Sequence, residues 1–408
     1  MPSSLRRRAL DASVLAKLLE APDLARRLQA LPAAALREVL VEIGIEDAGE
    51  LIALASFEQL RDVFDEDLWR SAAPGADADF DAERFALWLE VLREAGDRFV
   101  ADRLAEFSED FLHFAFSRLV RVLDLDRATA SLADGDEADL LEKLVDSHSC
   151  EDLDGHLVIA RSERSWDAAW ACLLALDERH PELLRGLLRR NWLATESEAE
   201  EVGGLCTLLS ESEMLREDAA AERDDRRAER GYVSAADARA FLALARSAPA
   251  APEEDPITRA YFRALAPLPL GGAALGSAGG ARGVAQLEQL ATRVGHRDEA
   301  DAASALSPSQ ALFRDALIEL AERNPAAHQR AVEELAFLAN VLVAGDASSG
   351  RAWRPVEAAL RVVALCDAGL RAAIARAPLH TGETAADVVA RWGAAGLFRI
   401  AWSESGPR

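Results

Sequence analysis

The chain has 408 residues, half of them hydrophobic, which allows two or three domains with a large core and excludes a disordered polymer. Aromatic residues make up only 6%, and alanine and leucine dominate the apolar set, a palette of helices and not of β-sandwiches. With 46 basic and 71 acidic residues the formal charge is −25, a field that repels phosphate backbones and excludes nucleic acid as a broad-surface partner.

The first 19 residues carry a basic triplet but are interrupted by Asp11 and Lys17, so they do not read as a signal peptide. Leu10 to Leu31 reads as two short helices broken before Pro22. The stretch from Leu31 to Trp69 then shows an internal echo. Leu36-Arg-Glu-Val-Leu40 recurs as Leu60-Arg-Asp-Val-Phe64, offset by 24 residues, with a short second helix expected at Glu46–Ala55. Ser56 with Gln59 forms a capping box, and Gly44 can stop the preceding helix. Ser71 to Asp79 reads as a loop of small and acidic residues. Helices are expected to open at Asp81 and Ser108, so starts at 32, 56, 81 and 108 lie 24, 25 and 27 residues apart.

Val122 to Asp146 is acidic and less periodic. His148 to Ala160 changes character: Asp154-Gly155 is a strong turn signal and Leu157-Val-Ile159 favours strand, which predicts one small hairpin and a domain boundary. Helices follow at Ser165–His180 and from Pro181, with a capping box expected at Thr195 and Glu198. Glu211–Arg230 is a long charged helix ended by Gly231, and Ser234 with Asp237 caps the next. Pro267 to Gly283 is Gly-rich and aperiodic, a surface loop or linker. Ser307-Pro308 and Asn324-Pro325 are strong helix starts. Leu335 to Val343 is apolar nearly all round and should be buried. Val356–Ala375 is a similar helix, and the tail with Trp392, Phe398 and Trp402 should dock on the body.

Four cysteines, Cys150, Cys172, Cys206 and Cys366, are widely spread without CxxC, which suits a reducing compartment. No run approaches the ~18 apolar residues of a membrane-spanning helix. His148, Cys150, Asp152, Asp154 and His156 are metal-ligand types within nine residues, but their spacing fits no zinc pattern. Asp134 to Glu142 is acidic yet lacks the glycine and final glutamate of a calcium loop. Arg226, Arg227 and Arg230 lie on the charged helix, either in exposed ion pairs such as Glu222 with Arg226 or as a docking surface. No Ser-His-Asp order, phosphate loop, HExxH or nucleotide fingerprint is present.

Three segments, Glu42–Trp69, Ala221–Leu242 and Glu334–Gly345, resemble recurrent segments of an uncharacterised bacterial family, a domain of unknown function. Their spread implies a full-length resemblance. Roughly residues 20–125 are also similar to the helical repeats in the cytosolic N-terminal domain of MgtE magnesium transporters. The first resemblance implies no activity, cofactor or catalytic residue. The second implies a superhelical domain whose acidic edges meet divalent cations. The chain shows neither MgtE's membrane helices nor a pair of cystathionine-synthase-type repeats, so transport is excluded.

Together these readings give an all-α protein, a superhelical stack of helical hairpins with at most one small β-hairpin near residues 148–160. Its expected parts are a helical-repeat domain at 1–146, a middle helical domain at 147–266, the Gly-rich stretch 267–283, and a C-terminal helical part at 284–408 packed on the middle domain. The expected function is a non-enzymatic, cytoplasmic scaffold that binds another protein, with no cofactor, no nucleic acid and no membrane span. The alternatives are a ligand- or metal-dependent sensor or enzyme at the domain junction, with His148, Cys150 and His156 as metal candidates, and a divalent-cation-responsive module. The interaction candidates are Arg226, Arg227 and Arg230.

Overall fold

The computed structural model describes residues 24–125, 148–201, 211–247, 256–264, 311–348 and 350–404. The expected helix before Pro22, the acidic stretch 134–142, Cys206, the Gly-rich stretch and the Ser307-Pro308 start lie outside them. The described residues are mostly helical, with two small antiparallel sheets.

They form two compact units, one of residues up to Arg70 and Asp79–Arg223, the other of Ser71–Ala78 and Asp224–Arg408. The chain passes between these units at 70/71, 78/79 and 223/224, the last within a helix, and not at the expected 146/147. The reason is strand pairing: Val120–Asp124 joins His156–Ala160 and holds both sides of the expected boundary in the first unit.

In the first unit, α1 (Leu24–Gln29), α2 (Ala33–Ile43), a 3-10 turn (Ile45–Asp47), α3 (Gly49–Leu54) and α4 (Phe57–Asp67) follow in order. The 3-10 turn takes the place of the first part of the helix expected at 46–55. Leu36, Leu40 and Ile43 are buried, spaced three and four apart on one stripe of α2; Val39 beside them is half-buried and Val41 is 62% exposed. On α4, Leu60, Val63 and Phe64 are buried in the same pattern. Ser56 and Gln59 form the capping box. Gln59 is itself buried, and its Nε2 donates to the carbonyls of Leu28 and Leu31 at 2.8 and 2.7 Å. One side chain thus caps the start of α4 and satisfies carbonyls at the end of α1.

Strands β1 (Trp69–Ser71) and β2 (Ala78–Phe80) flank what reads in the sequence as a plain loop. Then come α5 (Ala82–Glu94), α6 (Asp97–Leu104) and α7 (Glu109–Ser117), with Asp81 and Ser108 capping α5 and α7. The helix starts therefore keep the expected spacing. The connections between them do not: they are a 3-10 turn with α3, the β1–β2 ribbon, and α6. Phe64 is the centre of an aromatic cluster, 4.9 Å from Trp88, 5.2 Å from Phe107 and 6.3 Å from Phe85.

The second sheet is three-stranded in the order β3 (Val120–Asp124), β5 (His156–Ala160), β4 (Cys150–Leu153), antiparallel throughout. Asp154 and Gly155 both take positive φ, the turn that matches strand twist in a two-residue hairpin. The hairpin stands where the sequence puts it; β3 is additional. α8 (Glu163–Arg179) packs on α5 and α6, and α9 (Pro181–Glu201) on α7 and β3. α9 runs straight through Thr195, so the capping box expected there is replaced by a mid-helix role. Thr195 Oγ1 donates to the Asn191 carbonyl and accepts from the Val122 amide of β3. α10 (Glu211–Glu229) contains the boundary between units at Arg223 and Asp224.

The second unit contains α11 (Ala235–Ser247), α12 (Pro256–Ala264), α13 (Ala311–Arg323), α14 (Pro325–Gly345), α15 (Pro355–Arg376) and α16 (Ala385–Glu404). Its core gathers Phe241, Phe313, Phe337, Leu338, Val341, Leu365, Leu397 and Phe398. α14, α15 and α16 pack on one another, and α11 packs on α14 and α16. α16 is kinked at Gly393, whose φ of 64° and ψ of 173° interrupt the helix.

Candidate functional site

The hairpin spreads its ligand types apart. Register pairs Cys150 with Ile159 and Asp152 with Leu157, but Leu153 with His156. Side chains directly opposite share a face and successive ones alternate, so Cys150 and Asp152 lie on one face and His156 on the other. Cys150 and His156 therefore cannot bind one ion from this hairpin. His156 Nδ1 lies 3.0 Å from the Asp154 carbonyl. His148 sits before β4, close enough to Glu163 for its charge to act on it, while Glu163 accepts from Ser149 N and Oγ at 2.8 and 2.7 Å. Burial raises the pKa of the Cys150 thiol, and Glu151 adds to this. Among the described residues, no three His, Cys, Asp or Glu side chains are grouped to hold a metal ion.

On α10, Arg226 and Arg227 are half-buried and Arg230 is exposed. The Arg227 guanidinium lies 4.8 Å from the Tyr232 ring centre, a cation–π contact, and Arg226 and Arg230 are engaged by neighbours. Earlier on the helix, Arg223 is buried, donates to the Asp65 carbonyl at 2.6 Å and lies over Trp69.

The first unit encloses two polar side chains without hydrogen-bond partners among the described residues. His113 on α7 is 1% exposed, and neither ring nitrogen is paired; Asn191 on α9 has both amide atoms unpaired. His113 Nε2 faces the open Cα of Gly186 on α9. Desolvation lowers the His113 pKa to about 4, and the Arg190 charge pushes the same way against Asp110. The ring is therefore neutral at physiological pH and shut away from bulk water.

The second unit buries two carboxylates, and each holds a helix start. Glu334, 1% exposed, accepts from the Ala395 amide at 2.9 Å and so caps the half of α16 beyond the Gly393 kink. Asp367 on α15 accepts from the Phe313 amide of α13 at 2.9 Å. Each acid is also gripped by an arginine one turn away: Arg330 Nε on Glu334 at 2.9 Å and Arg371 Nε on Asp367 at 2.7 Å. Burial raises the Glu334 pKa against these hydrogen bonds. Cys366 Sγ lies 3.4 Å from the Ala394 carbonyl, and burial first, then Glu334 and Asp367, push the thiol far above its usual range. Such a thiol is inert as a nucleophile.

Beyond the kink, the run from Gly393 to Trp402 is buried at every position. Arg399 is its only charged residue. It is 6% exposed, its Nε has no partner, and Trp402 Nε1 one turn on is likewise unpaired. The Arg246 guanidinium on α11 lies over the Trp402 ring at 5.2 Å. Sequence reasoning passed over Glu334, Asp367, Arg399 and His113. A single charge inside an apolar run was the available signal for Arg399.

The fold and these buried groups define a mostly helical protein whose buried carboxylates Glu334 and Asp367 hold helix ends. Residues 11–267 match the family described as a family of unknown function (DUF6178), and the chain belongs to that family. The match covers the first two of the three resembling segments, and Glu334–Gly345 lies beyond it. No curated protein and no solved structure matches the chain, and the MgtE likeness is not upheld.

Proposed function

We propose that the protein is a non-enzymatic helical interaction protein of the cytoplasm whose partner is a basic protein. The observation that carries this reading is how the buried acids are used. Glu334 and Asp367 each hold a helix N-terminus and an arginine, so their negative charge goes into architecture and not into a reacting centre. The chain's remaining acids produce a net charge of −25, which favours encounter with a positive surface. No helix among the described residues is long and apolar enough to cross a membrane.

The test is capture from cytosol on the immobilised full-length chain, with an unrelated helical protein of equal net charge as control. We expect enrichment of a basic protein that is lost between about 0.1 and 0.5 M salt, as screening of surface charge requires. Enrichment no greater than on the control refutes the reading.

A further inference from the structure

We propose that the outer edge of β4 is a docking site at which an extended basic segment of a partner protein adds as a further strand. The inference rests on the interaction reading above and deepens it by naming the surface and the form of the segment. It starts from the hydrogen bonds of the three-stranded sheet. In an antiparallel ladder alternate residues turn their N–H and C=O groups to the same neighbour. The Ser149 carbonyl accepts from the Ala160 amide, and further along Glu151 is opposite Val158 and Leu153 opposite His156. Ser149, Glu151 and Leu153 therefore face β5, while Cys150 and Asp152 turn their backbone groups outward.

The two edges of this sheet are treated differently. On β3 the Leu119 carbonyl accepts from the Arg161 amide, so by the same alternation Val120 and Val122 face outward. Both are engaged: the Val122 amide donates to Thr195 Oγ1 on α9, and the Val120 carbonyl accepts from Arg161 Nε at 3.4 Å. On β4, no hydrogen bond among the described residues reaches the backbone of Cys150 or Asp152. An edge strand with unpaired N–H and C=O groups is a template for another strand. The side chains choose the occupant. Glu151 and Asp152 are exposed and, as successive strand residues, point to opposite faces. An added strand meets a carboxylate on either face, which favours lysine or arginine there and opposes acids. A second β4 would bring the same two acids with it, so a basic segment fits this edge better than another copy of the chain.

The experiment titrates the full-length chain with a short end-blocked peptide of alternating lysine and threonine at constant ionic strength, and follows amide hydrogen exchange residue by residue. We expect saturable binding and slower exchange of the Cys150 and Asp152 amides in the bound state, as pairing of open edge amides requires. The same peptide with every backbone nitrogen methylated keeps its charge and should not bind. Asp152→Pro removes an amide that the fold leaves unused, so the sheet should stand with an unchanged urea midpoint. It should bind the peptide about fivefold or more weakly than Asp152→Asn, which loses the charge alone. The methylated peptide is read on the wild type, so the test holds even where the proline variant does not fold. Equal binding of the methylated peptide, equal affinities of the two variants, or both amides protected before peptide is added would each overturn the edge site. Self-association that Asp152→Pro abolishes would assign the edge to a second copy and overturn the basic segment. In the cytosol capture, a basic protein enriched equally by wild type and Asp152→Pro overturns the edge site and leaves the interaction reading standing. Peptide binding at the edge with no protein enriched overturns the interaction reading instead.

Discussion

His113 gives the first unit a pH dependence of defined sign. Its folded pKa, about 4, lies below the ordinary 6.5, because burial excludes the charged ring. The unfolded chain therefore binds the extra proton between these values. The stability contributed is full above pH 6.5 and is lost as pH falls towards 4, by up to roughly 3 kcal/mol at about 1.4 kcal/mol per pKa unit. Urea midpoints at pH 7 and pH 4.5 should show this loss in the wild type and a smaller one in His113→Leu. Equal losses would mean that acidic groups elsewhere carry the effect. At the same scale, Leu40→Ala should cost roughly 2–5 kcal/mol, because Leu40 is packed in the core. Arg37 pairs with Glu66 at 3.4 Å and Arg61 with Asp62 at 3.7 Å, both at partly exposed positions. Changing either to Ala should cost less than about 1 kcal/mol in the same melts.

Among the elements, the kink in α16 makes the strongest demand on sequence. Gly393 sits at positive φ, where a side chain is strained, and a Cβ there would overlap the Glu334 carboxylate. Gly369 on α15 has no space either, because a Cβ would run into the Leu397 carbonyl where the helices approach closely. Gly393→Ala and Gly369→Ala should each lower the stability of the second unit by more than about 1–3 kcal/mol, the usual cost of overpacking. Gly350→Ala, with open space around it, is the control for φ alone. A Gly393→Ala melt no different from the Gly350→Ala melt would remove the carboxylate from the explanation. The Glu334 pKa is raised, so its sign is opposite to that of His113. The stability it contributes is present below the ordinary carboxylate pKa and is lost as pH rises through the folded value. Glu334→Gln should flatten that decline.

Much at this scale was legible in advance. Ser56, Asp81, Ser108, Ser234 and Asn324 cap helices where local chemistry says they should, since a cap depends on residues only three apart. The hairpin at Asp154-Gly155 was legible for the same reason. Strand β3 was not, because its pairing with β5 links residues far apart in the chain, from Val120 with Ala160 to Asp124 with His156. Nor was the Thr195 side chain legible, whose partner amide belongs to Val122. Glu334 and Asp367 escaped because the helix starts they cap are on other segments of the chain.

For the whole molecule, the division into two units decides how damage should spread. Each unit has a core of its own, the first around Phe64 and Trp88 and the second around Phe337 and Phe398. Helix α8 belongs to the first, since it packs on α5 and α6, and the chain passes between the units at 70/71, 78/79 and 223/224. Leu40→Ala removes contacts only in the first core and Phe337→Ala only in the second, where such a truncation costs roughly 3–5 kcal/mol. A chain of this kind need not unfold in one step. In urea series sampled by brief proteolysis, Leu40→Ala should open cleavage first before Arg223, while the described helices beyond Asp224 persist as a fragment. Phe337→Ala should give the reverse order. α10 carries one of the three crossings between the units within a continuous helix, and that continuity is a route by which the two transitions could merge. If both variants lose all fragments at a single midpoint, the two units unfold as one cooperative body. Introducing Ala221→Gly and Ala228→Gly on α10, each costing about 1 kcal/mol of helix propensity, should then separate the transitions again.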